Sequence, residues 1–284
     1  MNAGGGMTID AHQHFWRYSA DEYGWIDDAM AHIRRDFLPE DLETEMRGAG
    51  VDGVVSVQAR TSVEETTWLL EQAVRHPWIC GVVGWLPLAE ATLQKELDRF
   101  AGHPKLKAVR EVMQGRPPGA LLEPAFSSGV ARLREYGLAY DILIFARQLE
   151  EAAAFVDRHP GQVFVLDHIA KPDIRGGGMD AWARGLRDLA RRPDVYCKVS
   201  GLVTEAEWKS WTPDSLRPYW EVVLEAFGPS RLMFGSDWPV CLVACGYGRW
   251  KETVCEWIGK FSADEQNRVL GGTAVEAYRL EKQP

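Results

Sequence analysis

The feature that most constrains this chain is a repeated alternation of two patterns. Eight short runs rich in β-branched and apolar residues lie at 8–12, 53–57, 80–85, 106–112, 138–145, 163–168, 195–199 and 232–236, and a helical pattern follows most of them. Leu42, Met46 and Ala49 share one helix face, as do Leu93, Leu97 and Phe100, the spacing of amphipathic helices that cover a sheet. Ser62-Val63-Glu64-Glu65 and Ser262-Ala263-Asp264-Glu265 read as capping boxes, and Pro39 and Pro124 stand where a first-turn proline is tolerated. Strand and helix alternating at roughly 30-residue intervals predict parallel strands joined by right-handed crossovers, and eight such units close a (β/α)8 barrel. An open doubly wound sheet is the alternative, but a G-x-G-x-x-G turn does not follow the first strand; Gly4, Gly5 and Gly6 precede it.

One domain suffices for 284 residues if it is such a barrel. The expected organisation is a flexible glycine-rich leader at 1–7 and a single barrel domain at 8–284. A net charge of −9 opposes a generic nucleic-acid or anionic-membrane partner, with a local basic pocket left open. The five cysteines lack C-x-x-C spacing, and neither a charged-then-apolar leader nor an 18-residue apolar run is present. A cytoplasmic protein with reduced thiols is therefore expected, with the oligomeric state left open, a homo-oligomer included. Several of the twelve tryptophans adjoin Gly, Pro or Asp, which suggests an aromatic-lined cleft.

The chemistry collects at the ends of the runs. In Ile9-Asp10-Ala11-His12-Gln13-His14-Phe15-Trp16 the period of two puts Asp10, His12 and His14 on one face. Two imidazoles so placed suit a divalent ion of the zinc type, although H-x-H alone is a short motif and a polar loop is the plainer reading. The fourth run ends in Arg110 and Glu111, the sixth in Asp167 and His168, the seventh in Lys198 and Ser200, and the eighth in Ser236 and Asp237. Taken singly these cap loops or pair inside a barrel. Together they place charge at several buried strand ends, which needs pairing or a metal. Imidazoles and carboxylates around one ion with an open position are the equipment of hydrolysis.

Asp10-Ala11-His12-Gln13-His14-Phe15-Trp16, Val109-Arg110 with Gln114, Leu166-Asp167-His168-Ile169-Ala170-Lys171-Pro172, Lys198-Val199-Ser200-Gly201-Leu202 and Phe234-Gly235-Ser236-Asp237-Trp238-Pro239-Val240 resemble the sugar-acid lactonase branch of the amidohydrolase superfamily. The resemblance spans nearly the whole chain. It implies a distorted (β/α)8 barrel and hydrolysis of a lactone of the L-fucono-, L-rhamnono- or galactono- type, with His12, His14, His168 and Asp237 at the family's site positions. The fifth run offers no lysine or histidine, so one divalent ion, zinc by ligand type, is expected rather than a bridged pair; some members work without metal. Glu111, His168 and Asp237 are candidates to complete the ligand shell. Asp237 is the candidate general base, with His168 the second acid–base candidate, and Arg110, Lys171, Gln114, Trp16 and Trp238 are candidates for holding the sugar. Two rival functions stand beside this one: a hydrolase or decarboxylase of the same superfamily acting on an aromatic or dicarboxylate substrate, and a non-catalytic sugar-acid binding protein.

Overall fold

A computed structural model of the protein describes residues 6–100 and 102–281. Eight parallel strands run in the order β1 to β8: Ile9–Gln13, Gly53–Val57, Ile79–Gly84, Leu106–Val112, Ala139–Leu143, Phe164–Leu166, Val195–Val199 and Leu232–Phe234. Each pairs with its chain neighbour, and just past β8 the seam to β1 is closed by bonds from Asp237 N–H to His12 O (2.8 Å) and from His14 N–H to Trp238 O (2.7 Å). The result is a single-domain (β/α)8 barrel. Its helices are α1 Pro39–Gly48, α2 Val63–Arg75, α3 Leu93–Phe100, α4 Pro124–Leu133, α5 Leu149–Asp157, α6 Asp180–Ala190, α7 Leu202–Glu205, α8 Pro213–Phe227, α9 Tyr247–Ile258, α10 Ala263–Asn267 and α11 Thr273–Ala277.

The helix starts follow the sequence signals, with one difference. Pro39 and Pro124 open α1 and α4, and Ser262 makes the full reciprocal cap with Glu265. Ser62 accepts from Glu65 N–H, but the Glu65 carboxylate does not reach back. It is taken instead by the N–H groups of Ala59 and Arg60 and by the Arg60 side chain. The expected box at α2 is half a box because an adjacent loop offers that carboxylate more donors.

The period of two sorts the strand residues into two cores. Facing the helices is a large cluster that includes Val54, Val82, Val109, Tyr140, Phe164, Cys197 and Phe234. Inside the barrel, Ile9, Ala11, Val55, Val57, Val83, Ala108, Ala139, Val165 and Met233 form a smaller one, plugged at its base by Ala274, Ala277 and Tyr278 around α11. Above that apolar layer the same inward positions carry Arg110, Asp141, Asp167 and Lys198, each at most 3% exposed. The glycine-rich start at 1–5 lies outside the described residues; Met7 already packs against the inner cluster. No described helix is long and apolar enough to cross a membrane, and the five cysteines are free thiols.

Candidate active site

The mouth is built by three departures from regular strand geometry. On β1 the pairing with β2 advances by three residues, Asp10 to Gln13, where β2 advances by two, Val54 to Ser56, which is a β-bulge. Ile9 and Ala11 belong to the inner cluster, so Asp10 lies on the opposite face. There its Oδ1 accepts from the N–H groups of His12 (3.1 Å) and Ser236 (2.8 Å). The bulge then turns His12 back inward. The expectation that Asp10, His12 and His14 share a face is corrected: the two histidines enter the mouth, and Asp10 braces the β1–β8 seam from outside.

The second departure follows β6. His168, Ile169, Ala170 and Lys171 all have left-handed φ, 52°, 50°, 61° and 46°. Each such non-glycine residue costs roughly 1–2 kcal/mol, and backbone strain of this kind collects at functional sites. The turn is pinned by Lys171 N–H to His168 O (2.8 Å), Trp182 Nε1–H to Ile169 O (2.7 Å) and the His168 Nδ1–Ser200 Oγ contact (2.9 Å). Gly201, at φ 71°, is the close approach that admits His168, since a Cβ there would lie 2.7 Å from Nδ1. The third departure is Asp237, at φ 59° just past β8. These turns are why the sixth and eighth strands stop at Leu166 and Phe234, short of the run lengths read from sequence.

The three departures bring four groups together. Asp237 Oδ1 lies 3.5 Å from His14 Nε2, 3.8 Å from His12 Nε2 and 3.9 Å from His168 Nε2. One donor atom each from His12, His168 and Asp237 falls within a 4.8 Å span, and His12 and His14 meet Nε2 to Nε2 at 3.1 Å. The carbonyl beside His14 assigns its tautomer. His14 Nδ1–H donates to Val57 O at 2.8 Å, and His12 Nδ1 has the Asp167 carboxylate at 3.3 Å. The His14 Nε2 lone pair therefore faces the Asp237 oxygen, with His12 Nε2 3.1 Å from the former and 3.8 Å from the latter. That arrangement is repulsive by itself and fits a divalent cation of nitrogen- and oxygen-ligand preference. Carboxylate–histidine pairing of the kind seen at Asp167–His12 is also the usual support of a metal-binding imidazole.

The charges beneath are matched in pairs. Lys198 Nζ reaches Asp141 Oδ2 (2.6 Å), Asp167 Oδ1 (2.9 Å) and His12 Nδ1 (3.1 Å). Arg110 Nη1 donates to Asp167 Oδ2 (2.8 Å), and its Nη2 donates to Gln58 Oε1 (2.9 Å). Burial pushes the Asp141 carboxyl up to about 6 despite Lys198. At Asp167 burial pushes the same way, but Lys198, His12 and Arg110 outweigh it and hold the carboxyl well below its usual range. At Asp237 burial is outweighed by His168, His14 and His12, again leaving the carboxyl below its ordinary value. Burial pushes the imidazolium of His168 down to about 4 and that of His12 well below the usual range, against the pull of neighbouring carboxylates.

Above the four groups opens a cavity of about 250 Å³, walled by Arg110, Gln114, His168 and Lys171 on its polar side and Trp25, Val112, Leu143 and Val240 on its apolar side. Three residues singled out from the sequence are elsewhere. Glu111 follows Arg110 on β4 and so faces outward, where it accepts from Trp85 Nε1–H (2.8 Å) and lies 3.4 Å from Arg116; as a metal ligand it is withdrawn. Trp16 is fully buried, its Nε1–H donating to Arg35 O (2.9 Å), and Trp238 is buried against Phe15 and Phe37. Neither lines the cavity. Sequence reasoning passed over Trp25 and Asp141. The signal for Asp141 was a lone charge inside an otherwise apolar run; Trp25 adjoins Gly24 and so belongs to the tryptophans that suggested an aromatic-lined cleft, but nothing singled it out among them.

The amidohydrolase family matches residues 9–280. The chain belongs to that family. An L-fucono-1,5-lactonase of Burkholderia multivorans is 40% identical over 288 residues, covering 97% of this chain and 97% of the relative. A second L-fucono-1,5-lactonase, from Burkholderia ambifaria, is 36% identical over 285 residues with the same coverage of both chains. The crystal structure of a Burkholderia multivorans amidohydrolase with bound zinc superposes with a TM-score of 0.93 at 40% identity, over 97% of this chain and 100% of that one.

Proposed function

We propose that this chain is a lactonase that opens the lactone ring of a sugar acid by water attack, with Asp237 as the general base. The observation that carries the reading is one carboxylate oxygen set 3.5–3.9 Å from three imidazole nitrogens at the floor of a cavity large enough for one sugar ring. The relatives named L-fucono-1,5-lactonase support the substrate class. A catalytically silent sugar-acid binder has no use for a converged set of lone pairs under its ligand.

His12, His168 and Asp237, with His14 beside them, would hold a divalent ion of the zinc type, and such an ion supplies Lewis acidity that brings the pKa of a water toward about 7. The protein side of the reaction follows from its own groups. Asp237 is ionised at neutral pH and accepts a proton as the water oxygen bonds to the lactone carbonyl carbon. Its pKa is lowered by the three histidines, and an ion held there would supply the water acidity that so weak a base needs. As the ring C–O bond breaks, the same proton passes to the departing alkoxide and leaves a hydroxy acid. His168, neutral because its pKa is pushed down to about 4, serves as a lone-pair donor and not as the acid. Arg110, held by Asp167 and Gln58, faces the cavity as a fixed cation for the carbonyl oxygen as charge develops there. Lys171, paired with Glu205 at 3.1 Å, and Gln114, whose buried amide nitrogen has no partner among the described residues, are donors for sugar hydroxyls.

The test is Asp237→Asn, which keeps the shape but cannot take the proton. Turnover of the best sugar lactone falls by about 10²-fold or more, with the melting temperature nearly kept. Wild-type kcat in the variant would remove Asp237 as the base.

A further inference from the structure

Among the described residues Trp25 is the one large aromatic left strongly exposed, at 46%. It stands where two cavities meet. The catalytic cavity of about 250 Å³ and an outer one of about 640 Å³ share Trp25, Ala59, Val112 and Gln114, and the outer one continues to Arg60 and Arg116. The indole is not a loose surface group. Its edge-to-face partner is Trp16, at 5.9 Å between centroids and 89° between planes, and Trp16 is itself fixed by its bond to Arg35 O and by backbone pairing with Phe37.

The backbone on either side of Trp25 is also clamped. Arg34 donates twice to Ile26 O, at 3.0 and 2.8 Å, and Glu22 is ion-paired to Arg60 across the cleft. An exposed apolar ring held rigid by a buried one, facing a cavity with polar groups on its far wall, is how a binding site divides apolar shape from polar direction. Lys171, Gln114 and Arg110 supply the polar wall.

We infer that Trp25 is the specificity-determining platform of the site: its indole takes the C–H face of the sugar lactone and presents the opposite, hydroxyl-bearing side to Gln114 and Lys171. This rests on the lactonase reading above. A lactone ring without hydroxyl groups gains little from being held in that one orientation, so the platform separates sugar lactones from plain ones.

The experiment compares wild type with Trp25→Phe and Trp25→Ala on a sugar δ-lactone and on unsubstituted δ-valerolactone. For the sugar lactone, Trp25→Ala is expected to raise KM about tenfold, the loss of one aromatic contact of ordinary strength, with kcat and melting temperature held. Trp25→Phe recovers most of the affinity, and the preference for the sugar lactone over δ-valerolactone shrinks in the alanine variant. An unchanged KM, or a fall in kcat for both lactones alike, overturns the inference. Equilibrium binding of the sugar-acid product, measured by calorimetry on the same proteins, decides the platform separately from the reaction. If wild type turns over no lactone yet binds the acid more tightly than Trp25→Ala does, the lactonase reading falls and the platform stands. If wild type binds no better than the variant, the platform falls.

Discussion

Lys198 has no exposed surface, and its ammonium stands between the carboxylates of Asp141 and Asp167 and the Nδ1 of His12. Tyr278 donates to the same Asp141 oxygen, Oδ2, at 2.8 Å. A buried lysine is tolerable in such company, whereas a carboxylate stripped of it is not. Lys198→Met is therefore expected to lower the unfolding free energy by about 3–5 kcal/mol, read as a shift of the urea midpoint; a midpoint equal to wild type would mean that the buried charges are not coupled as described. At this scale the sequence was most legible where the period of two held. Arg110, Asp167 and Lys198 were singled out as strand-end charges, and all face the barrel interior. Glu111 lies apart from the cluster because adjacent strand positions point to opposite faces, and Trp16 and Trp238 are buried because residues next to the mouth in sequence can be packed into the core.

Single strands and turns decide what those residues can reach. The β1 bulge separates Asp10 from His12, and the left-handed run at 168–171 aims His168 and Lys171 at one cavity. Neither device was visible in the sequence: a bulge leaves the apolar alternation almost intact, and a left-handed turn made of His, Ile, Ala and Lys contradicts local preference, which favours glycine or asparagine there. It exists because Ser200, Trp182 and the gap at Gly201 hold it. Gly201→Ala tests this. A Cβ would sit 2.7 Å from His168 Nδ1 at a φ of 71°, so the variant is expected to lose about 1–2 kcal/mol of stability and most of its turnover as His168 is displaced. Thermal melts and single-substrate kinetics on the same sample check both. Wild-type kcat with lowered stability would show that His168 tolerates displacement and is not part of the working site.

At the scale of the molecule the barrel was read correctly because eight alternations of strand and helix have few other ways to bury both faces of a parallel sheet. Its layering explains where function can sit: an apolar plug at the base, a paired charge layer above it, and converging imidazoles and a carboxylate at the mouth. The last layer, with Arg110 beside it, faces the cavity, and the proposal is that the His12, His14, His168 and Asp237 cluster, bearing one divalent ion, opens sugar lactones. The most direct measurement is acid release from a panel of sugar lactones, followed with a pH indicator. It is run on protein purified without chelator, on the same protein stripped of metal, and on the stripped protein given back one equivalent of zinc, with metal content determined at each stage. The account predicts hydrolysis of at least one sugar lactone, loss on stripping and recovery with the added ion. Failure to hydrolyse every lactone, or full turnover by protein shown to hold no metal, would contradict it.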